Sequence, residues 1–137
     1  SSIVSTAWKV NESIPQHVVN KIKEVKGNIF GVKIGVLGLS FKEGSDDLRN
    51  SPSVKLMDLL KATGAIVKVH DPFVKNTSSL DEILEDSEII ILSTNHKEFK
   101  NIEKDLNSSN VKIIYDVWGM YKKEDFDSAK YLKLGNS

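Results

Sequence analysis

Between Ser40 and Pro52 the chain reads SFKEGSDDLRNSP, which places one aromatic ring, two cations and three carboxylates in a short polar run. Lys42 can meet a phosphate or a sugar hydroxyl as a point charge, and Arg49 can be held rigid by Asp46 or Asp47 through the fork of its guanidinium. Residue chemistry alone leaves a plain alternative open, in which the five charges pair among themselves on a solvated loop. Just upstream, Gly35 and Gly38 suggest a phosphate-cradling turn, but the next glycine of such a motif falls on Phe41. About a dozen residues then separate the strand from the following helix cap, which argues against a dinucleotide turn here. Asp71, followed by Pro72, reads first as a turn and second as an imitation of a ribose-binding acid.

The three histidines lie at positions 17, 70 and 96, with no carboxylate spacing of a metal site around them. His17 and His70 read as structural. His96 either faces a ligand or caps the helix that begins there. No nucleophile motif supports a Ser-His-Asp arrangement, and the absence of cysteine excludes disulfides, thiolate zinc and a cysteine nucleophile. It also fits a reducing, cytoplasmic compartment.

These residues need elements to position them. Ile14, Val18, Ile22 and Val25 recur at helical spacing from Ser13 to Val25, with Ser13 as candidate cap and Pro15 in the first turn. After Gly27 and Gly31 the pattern changes to short apolar runs, each followed by a helical stretch, which is the alternation of a parallel α/β sheet. The expected strands are Lys33 to Leu39, Ile66 to His70, Glu88 to Ser93, Val111 to Tyr115 and a short fifth from Lys130 to Leu134. Ser51 should cap a helix begun by Pro52 and stopped at Gly64; two more helices are expected at Leu80 to Leu84 and Lys97 to Leu106. The layout is Rossmann-like. Ligands in such sheets sit at the carboxyl ends of strands, so the candidate site comprises the loops Leu39 to Asn50, Asp71 to Lys75, Thr94 to His96 and Asp116 to Met120.

A chain of 137 residues supports one domain with a real core. Lys plus Arg equal Asp plus Glu at 19 each, so no net field gathers nucleic acid or an anionic membrane, and any phosphate site must be local. No stretch approaches the roughly 20 apolar residues of a membrane-spanning helix. The opening at Ser1, without methionine, reads as the continuation of a longer protein.

The string GLSFKEGSDDLRNSPSVKLMDLL followed by GAIVKVHDP closely resembles the UDP-binding C-terminal domain of the UDP-glucose/GDP-mannose dehydrogenase family. That family's pattern is G-(L/F)-(A/S)-F-K, a spacer, (T/S)-D-D-x-R-x-S-P, a helix, and a strand ending in D-P. LSTNHKEF resembles its T-x-H segment, and NESIPQHVV the N-x-x-x-P-x-x-V-V run after its central helix. The resemblance implies that residues 1–30 end a central linker region and that residues 31–137 are the UDP-sugar-binding domain. It implies an enzyme that oxidises the C6 alcohol of a UDP-sugar to a carboxylate in two NAD-dependent steps. The NAD site and the catalytic cysteine would lie in preceding N-terminal and central domains, so this chain alone would be inactive. Phe41 and Lys42 would approach the nucleotide sugar, with Arg49 a weaker contact that mainly shapes the loop, and the protein would self-associate. A UDP-N-acetylmannosamine type is slightly favoured over a UDP-glucose 6-dehydrogenase.

One departure stands out: many relatives read D-x-R-G after the fourth strand, where this chain has Asp116-Val117-Trp118-Gly119. Trp118 cannot supply a guanidinium charge and reads as core or interface. A rival reading is a stand-alone, non-catalytic module that kept the fold for nucleotide binding or assembly. A receiver-like signalling domain would want paired acids after the first strand and a phosphorylatable Asp after the third, and the sequence has neither.

Overall fold

The computed structural model describes Trp8 and residues 12–135. Helix α1 (Ile14–Lys26) leads into strand β1 (Lys33–Leu37), then α2 (Pro52–Ala62), β2 (Ile66–His70), α3 (Leu80–Asp86), β3 (Ile89–Leu92), α4 (Glu103–Ser108), β4 (Ile113–Asp116) and β5 (Lys130–Lys133). All strands pair in parallel in the order β2-β1-β3-β4-β5. The direction of winding reverses between β1 and β3, and it is there that a doubly wound sheet opens a crevice.

Side chains alternate across the sheet, so β1, β3 and β4 each supply two cores. Ile34 and Val36 with Ile89, Ile91, Ile113 and Tyr115 pack beneath α1 and α2, where Val18, Ile22, Leu56 and Leu60 are fully buried. Leu37, Ile90, Leu92 and Ile114 face α3 and α4 through Ile83, Leu84 and Leu106. Near-continuous apolar strands are what a sheet covered on both faces requires.

The expected strands and helices are present, with shifted ends. β1 stops at Leu37 because Gly38, at φ +105°, turns the chain off the strand. Ser51 caps α2 as expected, its hydroxyl accepting from the Ser53 amide. Ser13, by contrast, makes no side-chain cap on α1. The helix expected from Lys97 to Leu106 is broken into a 3₁₀ turn, Lys97–Phe99, and α4. The Tyr121 hydroxyl is the cause: it donates to the Phe99 carbonyl and accepts from the Ile102 amide at 3.1 Å, taking up bonds that a continuous helix would make itself. Burial pushes that phenol up to about 12. Among the described residues no helix is long and apolar enough to cross a membrane.

Candidate functional site

The crossover from β1 to α2 is an Ω-loop, closed where it begins. The Ser51 hydroxyl donates to the Leu39 carbonyl at 2.7 Å, which brings the foot of α2 back to the end of β1. Inside that closure the Phe41 amide donates to the Asp47 carbonyl at 2.7 Å. Asp47 in turn holds Arg49 with two bonds of 3.0 Å, from Nε to Oδ1 and from Nη2 to Oδ2. Of the two acids considered from sequence, Asp47 is the partner. The Arg49 hydrogen bonds hold the Asp47 carboxyl down at about 2, and the Arg49 side chain stays 88% exposed. Compact loops with joined ends are often functional.

Lys42 is different. It is exposed, and among the described residues its ammonium has no ion-pair partner, although it attracts Asp47 from a distance. Phe41, next to it, is half-buried. The loop's charges are therefore partly self-paired, with one cation left over.

The loop is bolted to the strand ends by buried polar side chains. Asp71, at the end of β2, accepts the Leu39 and Ser40 amides on Oδ2 at 2.7 and 3.0 Å and the Phe73 amide on Oδ1 at 2.9 Å. It is a turn residue, as its sequence suggested, and also a bracket for the crossover. Thr94, after β3, donates to the Ser40 carbonyl at 3.1 Å, and Ser93 donates to the Gly38 carbonyl at 2.5 Å. Ser53, at the start of α2, donates to the Ser93 hydroxyl at 3.1 Å. His96 is fully buried against Asp71, Ser40 and Gly44. It occupies the cap position of the 3₁₀ turn without capping it, so neither of its two expected roles describes what it does. His70 bonds the Ser78 carbonyl at 2.8 Å, a structural part as expected. His17 instead lies exposed on α1.

Burial opposes ionisation of Asp71, but hydrogen bonds from His96, Leu39, Ser40 and Phe73 outweigh it and hold the carboxyl well below the usual range. A carboxyl that binds its proton less readily folded than unfolded gives stability that is complete at neutral pH and lost as pH falls below about 4. Asp71→Asn keeps an oxygen for the two amides and cannot titrate. Its stability should therefore fall less steeply than the parent's between about pH 5 and pH 3, as read by urea midpoints across that range. Equal slopes would show that Asp71 contributes nothing to acid unfolding.

The crevice at the reversal point is thus occupied by Ser40, Asp71 and His96 and does not form a dinucleotide turn. The two glycines serve packing. A Cβ on Gly35 would lie 2.4 Å from Cγ2 of Ile83, and one on Gly38 2.4 Å from Cβ of Thr94. Past the ends of β3 and β4, a cleft of about 340 Å³ is lined by Asn95, Lys100, Trp118, Gly119 and Met120, and by none of Phe41, Lys42 and Arg49. Trp118 is 9% exposed and donates to the Ser93 carbonyl at 3.0 Å, so it is core at its base and rim at its edge. A larger groove of about 1050 Å³ runs along the β5 edge and shares no residue with the crossover. No group of three metal-ligating side chains is found among the described residues.

Fold and site define a Rossmann-like α/β domain whose β1–α2 crossover is a braced polar loop in place of a glycine-rich turn. Residues 35–123, well over half the chain, match the profile described as "UDP-glucose/GDP-mannose dehydrogenase family, UDP binding domain". The chain belongs to this family, of which it contains the C-terminal UDP-binding domain. It is 35% identical over 128 residues to the UDP-N-acetyl-D-mannosamine dehydrogenase of Pyrococcus horikoshii, covering 88% of this chain and 31% of that protein. It is 26% identical to the UDP-glucose 6-dehydrogenase of Bacillus subtilis, covering 95% and 31% respectively. Among solved structures, the NDP-N-acetyl-D-galactosaminuronic acid dehydrogenase of Methanosarcina mazei superimposes with a TM-score of 0.83 at 27% identity, over 94% of this chain and 30% of that one. The chain thus spans about a third of the length of these relatives.

Proposed function

We propose that this chain is the sugar-nucleotide-holding part of an NAD-dependent nucleotide-sugar 6-dehydrogenase, acting on a UDP-N-acetylhexosamine of the mannosamine type. In this reading residues 1–30 end the region that joins it to preceding domains. Those domains bring the NAD site and the catalytic cysteine, which this sequence lacks. What supports the reading most is the exposed Lys42, without an ion-pair partner among the described residues, beside half-buried Phe41 on a loop anchored to three strand ends. A cation carried on a braced loop suits an anionic, hydroxyl-rich ligand, and the braced backbone beneath it costs little further ordering when the ligand arrives. Its energy is spent far from the reacting carbon, to hold C6 still for the chemistry supplied elsewhere. The names of the relatives favour the N-acetylmannosamine nucleotide, with UDP-glucose second.

Calorimetric titration of the chain with UDP, UDP-N-acetylmannosamine, UDP-glucose and NAD tests this directly. Saturable heat with the uridine compounds and none with NAD is expected. Heat with NAD alone, or with none of the four, would refute it.

A further inference from the structure

Gly44 is exposed, and water could satisfy its amide, yet that amide is donated at 3.0 Å to Nδ1 of the buried His96. A backbone N–H can only donate, so Nδ1 must present its lone pair and the ring proton must sit on Nε2. From there it points at Oδ2 of Asp71, 3.0 Å away, with the Ser40 hydroxyl 3.2 Å from the same nitrogen. Ser40 donates its own proton to the Lys42 carbonyl at 3.1 Å. The Phe73 and Phe99 rings lie against the imidazole, with centroids 4.8 and 5.5 Å away. One ring therefore grips the turn on both sides of Phe41 and Lys42, at Ser40 before them and at Gly44 after them.

We infer that His96, as the neutral Nε2–H tautomer, is a positioning residue for the sugar-nucleotide site, clamping the Ser40–Gly44 turn so that Phe41 and Lys42 stay at its mouth. This rests on the crossover being the nucleotide site. It makes affinity depend on a side chain that never reaches the ligand. The nitrogens have separable duties: Nε2 ties the ring to Asp71 and to Ser40 at the start of the turn, and Nδ1 holds its far end at Gly44.

Two substitutions divide them. An asparagine places an oxygen near the position of Nδ1, so His96→Asn keeps an acceptor for Gly44; His96→Gln reaches the position of Nε2, keeping Asp71 but losing Gly44. In the parent, a two-bond proton–nitrogen spectrum should report Nε2–H, with the Gly44 amide protected from exchange. In H96Q, Gly44 should exchange at least about tenfold faster and UDP affinity should fall about tenfold, whereas H96N stays within about threefold on both counts. Both variants should remain folded with similar melting temperatures. An Nδ1–H tautomer, or equal Gly44 exchange in the two variants, overturns the clamp. A released Gly44 with unchanged UDP affinity overturns the positioning role. A parent that ignores UDP overturns the nucleotide reading, and His96's part in it, while the tautomer and exchange data still report separately on the clamp.

Discussion

Alanine at position 38 should destabilise the fold by about 2–5 kcal/mol, through left-handed strain added to overpacking. Gly38 sits at φ +105°, and a Cβ there would lie 2.5 Å from Oγ1 and 2.6 Å from the backbone nitrogen of Thr94. Neither side can yield cheaply. The Gly38 amide donates to the His70 carbonyl at 2.8 Å, its carbonyl accepts from Ser93, and Thr94 is held by its bond to the Ser40 carbonyl. Moving either residue disturbs the joint between β1, β2 and β3. Gly44→Ala is the control: its φ is +68°, but nothing lies within 4 Å of a Cβ there. Only the backbone term of about 1 kcal/mol should remain. Chemical denaturation of both variants checks the difference, and matching midpoints would show that Thr94 gives way without cost. A loss at the upper end of the range would consume much of a typical domain's stability of about 5–15 kcal/mol.

The second large effect concerns binding. Lys42→Ala should weaken binding of a UDP-sugar about 10- to 100-fold, the loss of a charge-assisted contact worth about 1.5–3 kcal/mol. Stability should change by no more than about 0.5 kcal/mol, as for other exposed positions without special contacts. The structure supports that separation: the ammonium has no ion-pair partner among the described residues, and the loop is held by backbone atoms and the side chains of Asp47, Ser51, Asp71, Thr94 and His96, none of which needs that ammonium. Arg49→Ala should behave otherwise. It frees Asp47 without removing a bare cation, so its effect on affinity should be the smaller one. Titration of parent and variants with UDP-N-acetylmannosamine decides the matter. Equal affinity in Lys42→Ala and parent would take Lys42 out of the site.

Much of this was legible in the residues themselves. Ile34 to Leu37 and Ile89 to Leu92 announce buried strands because both faces of the sheet are covered, and Ser51-Pro52 marks a helix start through local chemistry alone. The gathering of four loops at one edge follows from strands that all run the same way. What escaped is long-range. Nothing in local spacing pairs His96 with Asp71, 25 residues earlier, or aims Tyr121 at the gap between Phe99 and Ile102. Phe99, Ile102 and Leu106 keep helical spacing although the helix is interrupted, so periodicity could not reveal the break. Gly35 and Gly38 did not mislead, since Phe41 stands where a third glycine would and the spacing argues against a dinucleotide turn. They resembled a phosphate cradle because close approach to a helix and close approach to a ligand both favour a residue without a Cβ.

The joining of Leu39 to Ser51 at 2.7 Å makes residues 40–50 resemble a purse drawn shut at its neck. Lengthening such a purse is thermodynamically mild, since doubling a closed loop costs only about 0.6 kcal/mol. Neither β1 nor α2 has to move to accommodate it. In the proposed reading the rim can thus be retailored for a bulkier or more highly charged guest while the seam stays sewn, and selectivity can diverge without renegotiating the architecture beneath.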